Sequence, residues 1–172
     1  MSRSGKWGAL VASLLMIAGL TVGLTGTADA ATAARCTIVA GKADFDCTPG
    51  VFNPDVTQST IGSTICVSGW TATIRPPSSY TTNLKNQQKI DYGEANIPNS
   101  ELEEDHLVPL ELGGHPRDPR NLWPEPRSSA GAPDGQAAED KDTEENALKR
   151  QVCAGQISLT SARHTIILHW TH

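Results

Sequence analysis

Two apolar-rich runs separated by a double glycine, DHLVPLELGG at 105–114 and NLWPEP at 121–126, precede the polar and acidic stretch KDTEENALKR at 141–150. The alternation from Glu103 to Leu112 fits a strand, and Gly113 and Gly114 supply the positive backbone angles of a turn. The chain then returns through HPRDPR into a short strand at Asn121–Trp123. Ala137–Val152 has a helical pattern, with Leu148 and Val152 on one side and Gly155 just past its end. An order of strand, turn, strand and helix gathers residues distant in the chain onto one small platform. On that helix Asp142 and Glu145, three apart, share a face, as do Asp142 and Asn146, four apart. Asp105 and His106 are neighbours in a strand and so point to opposite faces unless the strand end bends.

The flanking segments are less regular. TICVSGWTATIR at 64–75 alternates β-branched and small residues and predicts one or two strands broken near Gly69, stopped by Pro76 and Pro77. Ser78 or Ser79 can cap a following helix with Tyr80, Leu84 and Ile90 on one face, Lys85 and Lys89 as a basic surface on the other, and Gly93 at its end. A last helix is expected from Leu159 to Trp170, where Ala162, Ile166 and Trp170 recur every four residues. Residues 31–63, rich in Thr, Gly, Asp and Pro, read as a loop-rich extension, and 64–172 as the main domain. Trp70, Trp123 and Trp170 are core or edge residues that each need one hydrogen-bond acceptor. His164, His169 and His172 match no metal-site spacing and suggest a frayed end.

Residues 1–30 carry the three parts of an export signal: Arg3 and Lys6, an apolar run from Ala9 to Leu24, and Ala28-Asp29-Ala30 as a cleavage pattern. Glycines and threonines interrupt the run, so removal is expected rather than permanent membrane insertion. The product is expected to be a secreted, extracellular monomer. Taking Arg3, Lys6 and Asp29 from the chain's 14 basic and 19 acidic side chains leaves 12 and 18, a formal charge of −6 with histidine neutral. That balance argues against broad electrostatic binding to nucleic acid, although local basic groups or a metal ion can still hold phosphates. In an oxidising compartment Cys36, Cys47, Cys66 and Cys153 are expected to form disulfides. Three pairings are open, and locality favours Cys36 with Cys47, which leaves Cys66 with Cys153.

The run from TIC at 64–66, through GW, RP, YTTNLK and ELEEDHLVPLELGG, to NLWPEP and VCAG resembles small secreted bacterial proteins described as His-Asn-His (HNH) endonucleases of the ββα-metal superfamily. The resemblance covers about residues 49–170, with the core motif at 103–150. It implies an α+β fold, a ββα-metal core flanked by helices and by a disulfide-stapled N-terminal extension. It also implies a divalent-metal-dependent endonuclease that hydrolyses phosphodiester bonds in DNA or RNA.

By the same resemblance His106 is the general base, a role suited to its near-neutral intrinsic pKa. Asp105 becomes a metal ligand, and Asn121 braces the loop that carries the base. The family's helix often supplies a histidine ligand, and this helix has none. Asp142 and Glu145 are the substitutes, with Asn146 a third possibility. Asp142 comes first because Glu145 has a helix partner in Lys149. An all-oxygen site favours Mg²⁺ or Mn²⁺. Arg117, Arg120 and Arg127 lie beside the hairpin and can hold substrate phosphates, and Glu125 can orient a ligand. The alternative from another class is a non-catalytic extracellular binding or cell-surface interaction domain that keeps the scaffold. The acidic balance and the missing helix histidine favour that alternative.

Overall fold

Strands β1 (Leu102–His106) and β2 (Leu122–Pro126) pair antiparallel, with Asp105 opposite Trp123 and His106 opposite Leu122. The computed structural model describes residues 34–172, and the export-signal reading of residues 1–30 falls outside them. The chain is a mixed α and β protein: among the described residues the hairpin is accompanied by α1 (Trp70–Ile74), α2 (Ser78–Asp91), α3 (Ala138–Cys153) and α4 (Leu159–Trp170). None of these helices is long and apolar enough to cross a membrane. With two strands and no further partner among the described residues, β2 tolerates Pro124 and Pro126, since a missing amide donor is harmless on an edge.

The core lies between the hairpin loop and the last two helices. Leu107, Val108, Leu112 and Trp123 pack with Leu148 and Val152 of α3 and with Leu159, Ala162, Ile166 and Trp170 of α4, all of them buried. The four-residue spacing along α4 therefore does face inward. Its start is capped by Ser158, whose side chain accepts the Ser161 amide at 3.0 Å. The two disulfides join Cys36 to Cys47 and Cys66 to Cys153, the pairing that locality favoured. The second ties the turn before α1 to the last residue of α3, so covalent and apolar links converge on the same helix.

The strand expected from Glu103 to Leu112 ends at His106, and Leu110–Leu112 is a 3-10 turn. Three other local expectations change. Residues 64–75 form turns and the single-turn helix α1, preceded by Gly69 at φ 80°. Their threonines bond back to the local backbone, Thr64 to the Thr60 carbonyl at 2.7 Å and Thr73 to that of Trp70 at 2.7 Å, which competes with strand pairing. On α2 no side chain caps the first turn, and Ile90 is 54% exposed. Lys89 is buried instead and donates to Asn99 Oδ1 at 2.9 Å and to the Ile97 carbonyl. Lys85 donates to the Leu102 carbonyl at 2.8 Å and Gln88 to that of Leu122 at 2.8 Å, so α2 grips the hairpin through polar side chains rather than an apolar stripe. The C-terminus is also tied down: the His172 amide donates to the Ala43 carbonyl at 3.1 Å, and His172 Nε2 to that of Thr37 at 3.1 Å.

Candidate functional site

Asn121, fully buried at the end of the hairpin connection, organises the loop between the strands. Its Oδ1 accepts the Val108 amide at 3.0 Å and the Val51 amide at 3.3 Å, while its Nδ2 donates to the carbonyls of Val108 at 3.0 Å and His115 at 3.1 Å. The double glycine makes this closure possible by two different means. Gly113 ends a 3-10 turn, Leu110–Leu112, at φ 72°, a left-handed angle that costs glycine little. A Cβ on Gly114 would sit 1.7 Å from the Val108 carbonyl oxygen and 2.7 Å from Asn121 Nδ2, so there the requirement is space.

This loop fixes His106. The ring is 5% exposed, and its Nε2 lies 3.0 Å from the Pro116 carbonyl oxygen. A carbonyl only accepts, so Nε2 carries the hydrogen and the lone pair of the neutral ring is on Nδ1. Burial pulls the imidazole pKa below its ordinary value, against the opposing pull of the Asp105 charge. The ring is therefore neutral at pH 7 and able to take a proton.

His106 borders a polar cleft of about 400 Å³ between α2 and the hairpin, with Arg75, Lys85 and Arg127 among its walls. Arg75 is exposed and makes no ion pair among the described residues. Lys85 is held by backbone carbonyls, and Arg127 by Glu103 and by Glu139 at 3.2 Å. Glu104 shares a strand face with His106, and burial raises its pKa to about 9, so it is a neutral acid at pH 7.

The opposite face of β1 meets α3 around a lysine. Lys141, 1% exposed, places Nζ 2.5 Å from Asp105 Oδ2 and 2.9 Å from the His106 carbonyl oxygen, and pairs with Glu145 one helical turn on. Burial lowers its pKa, but the opposing pull, led by the Asp105 charge, outweighs burial and keeps the ammonium charged. Burial pushes Asp105 up as well, and the Lys141 charge wins and holds it below the usual carboxylate range. Glu145 is pushed up to about 8 by burial. Glu125, fully buried, is raised well above its ordinary value by burial and then by Asp105, and as a neutral acid it can donate to Asp105. Its oxygens accept from no donor among the described residues. One ammonium thus balances one carboxylate, and the two glutamates avoid burying further charge by holding protons.

The sequence-derived candidates divide accordingly. Asp105 and Glu145 are brought together, through Lys141. Asp105 and His106 point to opposite faces of β1, as adjacent strand residues do. Asp142 is exposed and its carboxylate has no hydrogen bond among the described residues, while the Asn146 side chain donates to the Asp142 backbone at 2.7 Å. The helix partner expected for Glu145 was Lys149, which lies instead 3.7 Å from Glu111. Of the three arginines only Arg127 borders the cleft. Arg117 stacks on Tyr80, 5.6 Å from the ring centre, and Arg120 pairs with Asp118 at 2.7 Å. Lys141 and Arg75 were not singled out from sequence. The spacing of Lys141 and Glu145 was a signal for the first, and a basic residue directly before two prolines for the second.

A divalent ion at Asp105, Asp142 and Glu145 does not fit this arrangement. Among the described residues no three His, Cys, Asp or Glu side chains converge so as to hold a metal, and the carboxylates that come closest close around the Lys141 ammonium. Comparison with known proteins finds no matching family model, no matching curated protein and no matching solved structure.

Proposed function

We propose that the protein is a secreted phosphodiester hydrolase acting on nucleic acid, with His106 as general base. The observation that carries this reading is the His106 ring itself: held through Nε2 by a backbone carbonyl, neutral by burial, and bordering a polar cleft beside Arg75, which makes no ion pair among the described residues. In the proposed reaction Nδ1 takes a proton from water, the resulting hydroxide attacks phosphorus, the P–O bond to the leaving oxygen breaks, the leaving oxygen takes a proton from solvent, and the imidazolium returns its proton to solvent. Arg75, exposed at the wall of the cleft and free of ion pairs among the described residues, can carry the negative charge that builds on the phosphoryl oxygens. Asn121 acts at one remove by fixing the loop from which Pro116 holds the ring. The resemblance to HNH endonucleases supports phosphodiester hydrolysis with His106 as base, though not their metal site, and two disulfides with no membrane-crossing helix among the described residues are compatible with an extracellular protein.

A second reading, a secreted binding domain that keeps this scaffold without catalysis, is favoured by one observation: the carboxylates expected to serve chemistry are satisfied internally by Lys141. Nicking of supercoiled plasmid separates the two. Hydrolysis predicts cleavage that falls by about 100-fold or more in His106→Ala and on the order of 100-fold in Arg75→Ala. Retarded mobility of nucleic acid without cleavage in all three proteins supports binding alone.

A further inference from the structure

We infer that the Lys141 ammonium is this protein's built-in cation: it fills the position between Asp105, Glu125 and Glu145 that a divalent ion would need, and the folded protein takes up no metal there. Nζ has three donor hydrogens, and three acceptors surround it: Asp105 Oδ2 at 2.5 Å, the His106 carbonyl at 2.9 Å, and Glu145 Oε1. Two of these come from β1 and one from α3, so the ammonium cross-links strand to helix as a structural ion does. The side chain starts four residues before Glu145 and is 1% exposed, which leaves no path for it to swing into water without opening the α3–hairpin contact. Two cations cannot share the position, since they would repel at close range in a dry site.

Glu125 supplies an independent mark of the same arrangement. It lies opposite Glu103 in the hairpin, is fully buried, and its two oxygens accept from no donor among the described residues. The ammonium, limited to three directed hydrogens, has already spent them on other atoms. A lysine in this place also removes the need for the helix histidine that the HNH resemblance leads one to expect on α3.

The test uses the oxidised protein, without its export signal, and Mn²⁺ alone as probe. Calorimetric titration and the electron paramagnetic resonance of free Mn²⁺ report binding, and melting in EDTA against saturating Mn²⁺ reports linkage. Wild type is expected to bind no Mn²⁺ at this site and to melt at the same temperature in both buffers. Lys141→Met keeps the stem and removes the charge. It is expected to melt lower in EDTA and to regain roughly 5 °C or more with Mn²⁺, an effect lost in Lys141→Met combined with Asp105→Asn. Stoichiometric Mn²⁺ binding by wild type that disappears in Asp105→Asn overturns the inference. So does a folded Lys141→Met that ignores Mn²⁺. If Lys141→Met does not fold, the wild-type titration alone decides. Binding and melting are read without substrate, so hydrolysis can be present or absent under either result.

Discussion

Asn121 and Val108 exchange two hydrogen bonds, each 3.0 Å long, between one side-chain amide and one backbone unit thirteen residues earlier. The pair closes the hairpin connection much as two strands would, in a place where no strand continues. Asn121→Ala leaves the Val108 amide and the carbonyls of Val108 and His115 unpaired in a dry interior, and the expected loss is roughly 2–4 kcal/mol by urea unfolding. Asn121→Asp should be at least as damaging, because an oxygen then faces two carbonyl acceptors. A near-neutral Asn121→Ala would show that the loop is held by something else.

Gly114→Ala places a methyl group 1.7 Å from the Val108 oxygen, so the loop must open to accept it. The expected cost is on the order of 3 kcal/mol, while Gly62→Ala, whose added Cβ meets nothing within 4 Å, should fall within about 0.5 kcal/mol of wild type. Comparable melting of the two variants would refute the space requirement.

The two disulfides are expected to contribute unequally. Cys66 and Cys153 are separated by 87 positions and Cys36 and Cys47 by 11. From loop-closure entropy, replacing the first pair by serine should cost roughly 4–5 kcal/mol and the second roughly 3 kcal/mol. Equal losses in paired chemical denaturations would mean that native contacts, not chain entropy, set the difference.

Stability should fall on the alkaline side. Glu94, Glu145 and Glu104 have pKa values raised by burial to about 7, 8 and 9, above the unfolded value of 4.5. The folded state therefore binds more protons than the unfolded one from about pH 4.5 upward, and stability declines as pH rises through the folded values. His106, lowered by burial, acts in the opposite sense and only on the acid side, below its unfolded pKa of 6.5. The melting temperature is expected to drop from pH 5 to pH 9, and Glu104→Gln should flatten the upper part of that slope. An unchanged slope in Glu104→Gln would show that its carboxyl is not protonated in the fold.

What the sequence disclosed follows from where regularity is local. Both long C-terminal helices were legible to within about a residue, because α3 and α4 bury periodic apolar positions and Gly155 lies just past the end of α3. The hairpin was legible from its double glycine, although β1 stops at His106 because the next residues turn into the loop that Asn121 holds. Residues 64–75 misled because their threonines bond back to the local backbone, which competes with strand pairing. Lys89 and Lys141 were opaque for a common reason: a lysine on a polar helix reads as solvated, and only the tertiary fold reveals the carbonyls and carboxylates that make its burial tolerable. The opposite directions of Asp105 and His106 were readable from strand geometry alone. Which partner each would meet was not.

Hydrolysis at His106 is tested most directly by incubating supercoiled plasmid with the oxidised protein, residues 31–172, beside identically prepared His106→Ala. Nicking by wild type that disappears in a folded His106→Ala is the expected result. Equal nicking by both proteins, or none by wild type on DNA or RNA with Mg²⁺, Mn²⁺ or EDTA, would contradict it.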